Sequence, residues 1–226
     1  TAENPRLVYA TIGAFGNTGP LAQRPGYDPL MQAFGGIMSV TGEGGRPPIR
    51  VGSSMIDMGA GMWIVIGVLA ALLRRGQTGK GGEIGTSLYE TALGWMFYHV
   101  TAFSLTGANP VPQGSGSPFL APYGAYRAAD GDIVIAAGND RLYRAAVTAI
   151  GRPEMADDPR FATNADRVRN KDALNALVTE TVGRAPAAHW VERLEAAGVP
   201  CAPVQTVGQV YAHPQTAALD ILRQSA

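Results

Sequence analysis

The 226 residues suffice for one large domain or two modest ones, and 46% hydrophobic against 16% charged residues excludes a disordered chain. Formal net charge is zero, so there is neither a basic field for nucleic acid nor an acidic tail. The single cysteine, Cys201, excludes an internal disulfide framework and fits a reducing compartment, the cytoplasm, while His99, His189 and His213 show no metal-ligand spacing.

In chain order, Thr1 to Pro5 has neither the basic start nor the apolar stretch of a secretory leader. Leu7 to Ile12 reads as a buried strand, ended by a turn at Gly13-Ala14-Phe15-Gly16-Asn17. After the loop Arg24 to Asp28, Asp28 caps a short helix through Met38, with Pro29 at its first position. Thr41 to Pro48 is a Gly/Pro-rich loop, and the extended segment Arg50 to Met55 delivers the chain to Asp57. From Asp57 a helix runs to Arg74-Arg75, two cations suited to a helix C-terminus. Its apolar run, Met58 to Leu73, falls short of a membrane span and reads as a buried helix. Gly79 to Gly82 is a turn; a strand over Glu83 to Ser87 and a helix to about Ser104 follow.

Composition changes at 106–122, rich in Gly, Pro and Ser, which reads as a linker. A hairpin follows, with Asp130-Gly131 between Tyr123–Ala128 and Asp132–Ala137. Helices are predicted near 139–150, 166–183 and 186–197, the last stopped by Gly198-Val199-Pro200. The pattern gives an α/β segment over 1–105 and a small α+β domain over 123–200, with 201–226 leading back toward the first. One exposed strand with long helices cannot make a closed α/β domain, so the chain reads as part of a larger fold.

Asp57 has two readings. As a helix N-cap it contributes on the order of 1 kcal/mol. As a functional group it is a carboxylate held by the positive end of a helix dipole, with Gly59 and Gly61 leaving room for a substrate, and so a candidate nucleophile. Gly79-Lys80-Gly81-Gly82 fails as a phosphate loop, because Arg74 and Gly81 stand where Gly and Ser or Thr are needed. Gln113 to Ser117 is either a plain linker or a mobile lid whose glycine N–H groups serve as donors. Met31, Met38, Met55, Met58 and Met62 are core filler or an adaptable acyl pocket.

Taken in order, several segments resemble the class III CoA-transferases, the CaiB–BaiF family. They are Asn4-Pro5-Arg6-Leu7-Val8-Tyr9-Ala10, Gly13-Ala14-Phe15-Gly16, Arg24-Pro25-Gly26-Tyr27-Asp28 and Gln32-Ala33-Phe34-Gly35-Gly36. The resemblance continues through Ile56-Asp57-Met58-Gly59-Ala60-Gly61, Thr78-Gly79-Lys80-Gly81, Ala121-Pro122-Tyr123-Gly124, Gly198 to Val204 and His213-Pro214-Gln215. It implies a Rossmann-like large domain, incomplete here, with a small inserted domain, in an interlocked homodimer. It also implies coenzyme A as a substrate, with no tightly bound cofactor or metal, and small carboxylic acids as the other substrates.

By the same resemblance Asp57 falls on the catalytic aspartate, and Arg24, Tyr27, Asp28, Gln32, Gly59, Gly114 and Gly116 fall on the substrate and CoA site. The stretch around Gly114 and Gly116 departs from the longer glycine loop of oxalate-type enzymes, which argues against formate–oxalate exchange. The racemases of the family place a histidine where this chain has Tyr27, and without that second base transfer is favoured over racemisation. A 2-methylacyl-CoA racemase and a non-catalytic acyl-CoA-binding protein remain the alternatives. Arg24, Arg46 and Arg50 make a dicarboxylic substrate conceivable.

Overall fold

The computed structural model describes residues 3–222 and divides the chain into two compact units, Thr1–Gly114 and Ser115–Ala226. The break falls inside the 106–122 stretch. Residues 1 and 2 of the first predicted segment and 223–226 of the last lie outside the described residues.

The first unit is built on a parallel pair, β1 (Val8–Gly13) and β2 (Gly82–Ser87), in register from Val8 opposite Gly82 to Gly13 opposite Ser87. Between them come α1 (Asp28–Phe34), α2 (Ile37–Val40) and the long α3 (Met55–Thr78); α4 (Leu88–Trp95) and α5 (Phe97–Thr106) follow β2. The predicted helix from Asp28 through Met38 is two helices. Gly36 adopts φ +86°, a left-handed conformation that breaks the run after Phe34. Met96, at φ −90° and ψ 6°, separates α4 from α5. Gly79, also left-handed, ends α3 and donates its N–H to the Arg75 carbonyl, so the Gly-Lys-Gly-Gly run is a helix stop.

Two expectations are corrected here. β1 has no buried residue, three of its six being exposed, because β2 is its one strand neighbour among the described residues. α3 is longer than its apolar run, since the residues flanking that run continue the helix to 24 residues. It is therefore long and apolar enough to cross a membrane by length and composition alone. Nor is it a buried helix: one stripe, marked by Ile56, Gly59, Ala60 and Ala71, is covered, and Gly67 lets it close on Ile84 of β2. Met58, Met62, Trp63, Val65, Ile66, Leu69 and Leu73 stay exposed. The first unit's own buried cluster is small: Met31, Ile37, Ile56, Ala92 and Met96.

The second unit has the fuller core. The hairpin β3 (Tyr123–Arg127) and β4 (Asp132–Ala136) pairs antiparallel from Tyr123 opposite Ala136 to Arg127 opposite Asp132. Alternate residues face inward, Tyr126, Ile133 and Ile135 among them. They pack with Tyr143 and Val147 of α6 (Asp140–Ala149), Leu174 and Val178 of α8 (Lys171–Val182), and Trp190 and Leu194 of α9 (Ala187–Ala196). The predicted 166–183 helix is α7 (Asn164–Arg169), opened by a Thr163/Asp166 capping box, then α8. Residues 201–203, which the sequence reading assigns to the return toward the large domain, are instead β5 (Cys201–Pro203), antiparallel to β4. After it α10 (Val207–Ala212) and α11 (Pro214–Ala218) bury no side chain.

Exposed apolar faces of this extent drive association. We expect residues 1–226, produced alone, to self-associate and to bind a hydrophobic dye. Light scattering after size exclusion checks this; a monodisperse monomer that leaves the dye dark would contradict it.

Candidate active site

The order of chain and contacts fixes where Asp57 lies. At the far end of α3, Arg75 Nη1 donates to the Arg6 carbonyl (3.2 Å) and Arg74 Nη2 to the Gly81 carbonyl (3.4 Å), beside the starts of β1 and β2. α3 therefore runs antiparallel to both strands. Its first turn, about 36 Å away at 1.5 Å per residue, lies at their carboxyl ends. That edge is where open α/β sheets bind ligands.

Asp57 is in this first turn and exposed. Its carboxylate has no hydrogen bond or ion pair among the described residues. The sequence reading of Asp57 as the helix cap is corrected, because α3 starts two residues earlier, at Met55. Ser54 stands at the cap position with no side-chain bond to the helix. The cap comes instead from α1. Asp28 Oδ2 accepts the N–H groups of Ile56 (2.7 Å) and Asp57 (3.2 Å), and Asp28 Oδ1 accepts Gln32 Nε2 (2.6 Å). So Asp28 caps α3 rather than its own helix, whose cap position is Tyr27. Gln32 faces the same way, four residues on. Its Oε1 accepts the Val51 N–H (2.8 Å), holding the segment that leads to Asp57.

The other predicted site residues divide. Tyr27, 73% exposed, keeps an accessible ring beside Asp28 in the chain. Arg24 lines an apolar groove with Phe15, Leu30, Met31 and Phe34. At 100° per residue Leu30 and Phe34 point away from the Asp28–Gln32 face, so the structure sets this groove across α1 from the first turn of α3. Gly59 leaves no room for a substrate: a Cβ there would lie 2.9 Å from both Thr91 and Trp95, so it is the close contact of α3 with α4. Gly61 has the open space, with nothing within 4 Å.

Gly114 and Gly116 fall on either side of the boundary between the units. Gly114 belongs to the first unit, where its N–H is spent on the Gly42 carbonyl (2.7 Å). Gly116 belongs to the second, packed on Gly124 of β3, while Ser115 Oγ accepts the Ala125 N–H (2.8 Å). No group of His, Cys, Asp and Glu among the described residues could hold a metal ion. Sequence reading missed the reach of Asp28 to α3; its one local signal is a polar pair four residues apart on a short helix.

A mixed α/β protein presenting an exposed carboxylate at the carboxyl edge of a parallel strand pair is the class that fold and site define. The sequence matches CoA-transferase family III over residues 1–225, and the chain belongs to that family. It is 42% identical over 223 residues to a protein of Acetobacter aceti named acetyl-CoA:oxalate CoA-transferase, covering 98% of this chain and 57% of that one. It is 31% identical over 212 residues to human succinyl-CoA:glutarate CoA-transferase, covering 93% of this chain and 48% of that protein. A crystal structure of a CaiB/BaiF family protein from Brucella suis superposes with a TM-score of 0.85 at 39% identity, over 96% of this chain and 57% of that one. The chain thus spans about half the length of the relatives it matches.

Proposed function

We propose that the protein to which this chain belongs moves coenzyme A between an acyl-CoA donor and a carboxylic acid acceptor, with Asp57 as nucleophile. The observation that carries this is the exposed Asp57 carboxylate, without a partner among the described residues, its backbone held by Asp28. An Asp57 oxygen attacks the donor thioester carbonyl, the C–S bond breaks, and a mixed anhydride and CoA thiolate result. The thiolate attacks the Asp57 acyl carbon, releasing the donor acid and leaving an aspartyl–CoA thioester. The acceptor carboxylate attacks that thioester to give a second anhydride and thiolate. The thiolate then attacks the acceptor's acyl carbon, which returns Asp57 as carboxylate and releases the new acyl-CoA.

Relatives named for oxalate and glutarate support a dicarboxylic acid as one substrate. With an oxalate enzyme at 42% identity, the short glycine stretch is no argument against oxalate itself. Tyr27 stands where the racemases have a base, and a phenol is a better hydrogen-bond donor to a developing oxyanion than a base at neutral pH. Water destroys an anhydride, and Asp57 is open in this chain, so we assign its cover to an interlocked second subunit in a cytoplasmic homodimer with a Rossmann-like large domain.

Hydroxylamine added to the complete enzyme during turnover tests the mechanism. We expect a hydroxamate at Asp57, dependent on acyl-CoA and found by peptide mass. Turnover with no label at Asp57 would sink the covalent route.

A further inference from the structure

We propose that Asp28 and Gln32 are positioning residues, which fix the first turn of α3 and so aim the Asp57 carboxylate without touching substrate. This rests on the reading of Asp57 as nucleophile, and it departs from the family-based expectation that both residues bind substrate or CoA.

Both side chains are closed off, Asp28 at 2% and Gln32 at 0% exposure. Their polar atoms are committed inside the protein. Each Asp28 oxygen has its donors: Oδ1 takes Gln32 Nε2, and Oδ2 takes the N–H groups of Ile56 and Asp57. Gln32 Oε1 takes the Val51 N–H, and its Nε2 also faces the carbonyls of Val51 (3.4 Å) and Ser53 (3.5 Å).

The need for this hold follows from the helix end. The first N–H groups of a helix lack partners within it. Ser54 supplies none, so a buried carboxylate on another helix takes the place of the local cap. Gln32 meanwhile bonds both backbone groups of Val51, as a neighbouring strand would. Residues 51–57 are thus clamped at Val51 and again at Ile56–Asp57. The second clamp grips the N–H of the reacting residue itself. A nucleophile must sit within a fraction of an ångström of its productive place, and a shift of about 1 Å can cost roughly 100-fold in rate.

In the complete enzyme, Asp28→Asn puts an NH2 against either Gln32 Nε2 or the α3 amides. We expect kcat to fall about 10- to 100-fold with donor KM unchanged within about twofold, and the Ile56 and Asp57 amides to exchange faster with solvent deuterium. The double variant Asp28→Asn/Gln32→Glu restores the bond between positions 28 and 32, since the carboxylate then at position 32 accepts from the side-chain amide at position 28 and from the Val51 N–H, but it offers no donor to the Val51 and Ser53 carbonyls. It should regain part of the lost kcat. A rise in KM with unchanged amide exchange would place Asp28 on the substrate and overturn the proposal, as would an unchanged kcat. Should Asp28→Asn fail to fold, Gln32→Met carries the same readings, with kcat alone falling and amide exchange faster at Val51. Asp57→Ala is measured beside them. If it stays active, the nucleophile reading falls and the positioning proposal with it; if it is dead while Asp28→Asn is unaffected, only the positioning proposal falls.

Discussion

Asp57→Ala should reduce CoA transfer by roughly 10⁴-fold or more, the scale of removing a nucleophile, with the protein still folded and still binding CoA. Geometry separates this loss from a structural one. The carboxylate is exposed and supplies no cap; the cap belongs to Asp28. What Asp57 adds to stability is its interaction with the α3 dipole, about 0.3–1 kcal/mol for such a group. Rate and stability should therefore part company: no turnover, and a melting curve close to wild type. Steady-state transfer assays beside thermal denaturation make the comparison. Near-normal turnover would remove Asp57 from the mechanism. A large drop in melting temperature would instead show that the first turn depends on its side chain.

Arg167→Ala should destabilise the second unit by about 3–5 kcal/mol, since three buried carbonyls lose their donor at about 1–3 kcal/mol each. Its melting transition should fall by more than about 10 °C. Arg167 has no exposed side-chain surface. Its Nε donates to the Ala121 carbonyl (2.7 Å), Nη1 to Phe161 (3.1 Å), and Nη2 to Gly138 (3.2 Å) and to Asp140 Oδ1 (2.8 Å). The guanidinium also lies 4.4 Å from the centre of the Tyr143 ring. Burial pushes the Tyr143 phenol up to about 12, with Arg167 pulling against that shift, and its hydroxyl donates to the Met155 carbonyl (2.7 Å). One side chain thus ties the approach to β3, the loop before α6 and the turn before α7. Without it three carbonyls lose their donor in a dry interior.

The ion pair with Asp140 is the lesser part, because the Asp140 side chain is 60% exposed, and Asp140→Asn should cost under about 1 kcal/mol. Arg167→Lys should recover little, since an ammonium lacks the planar fork that meets three carbonyls at once. Melting of the three variants by near-ultraviolet circular dichroism decides it. If Arg167→Ala melts within about 2 °C of wild type, the network holds nothing together.

What the sequence determined by itself was local or cumulative. Asp130-Gly131 between alternating residues marks the hairpin, because that pair suits a reversal of the chain and the period of two leaves one face apolar. Gly79 marks the end of α3, since glycine takes the left-handed stop without strain. The order of short segments along the chain, from Asn4-Pro5-Arg6 to His213-Pro214-Gln215, carried the family, because their sequence and spacing accumulate where no single one decides.

What only the tertiary structure decided were the pairings between distant residues. Asp28 reads as the cap of its own helix, for capping is ordinarily local; its carboxylate goes instead to amides 28 and 29 residues on. Gly59 reads as open space, and the approach of α4 fills it. Arg167 looks like any surface arginine beside Arg160 and Arg169, until folding closes three carbonyls around it. Such positions resist sequence reading because their energy comes from a partner's place in space, and no spacing along the chain encodes that.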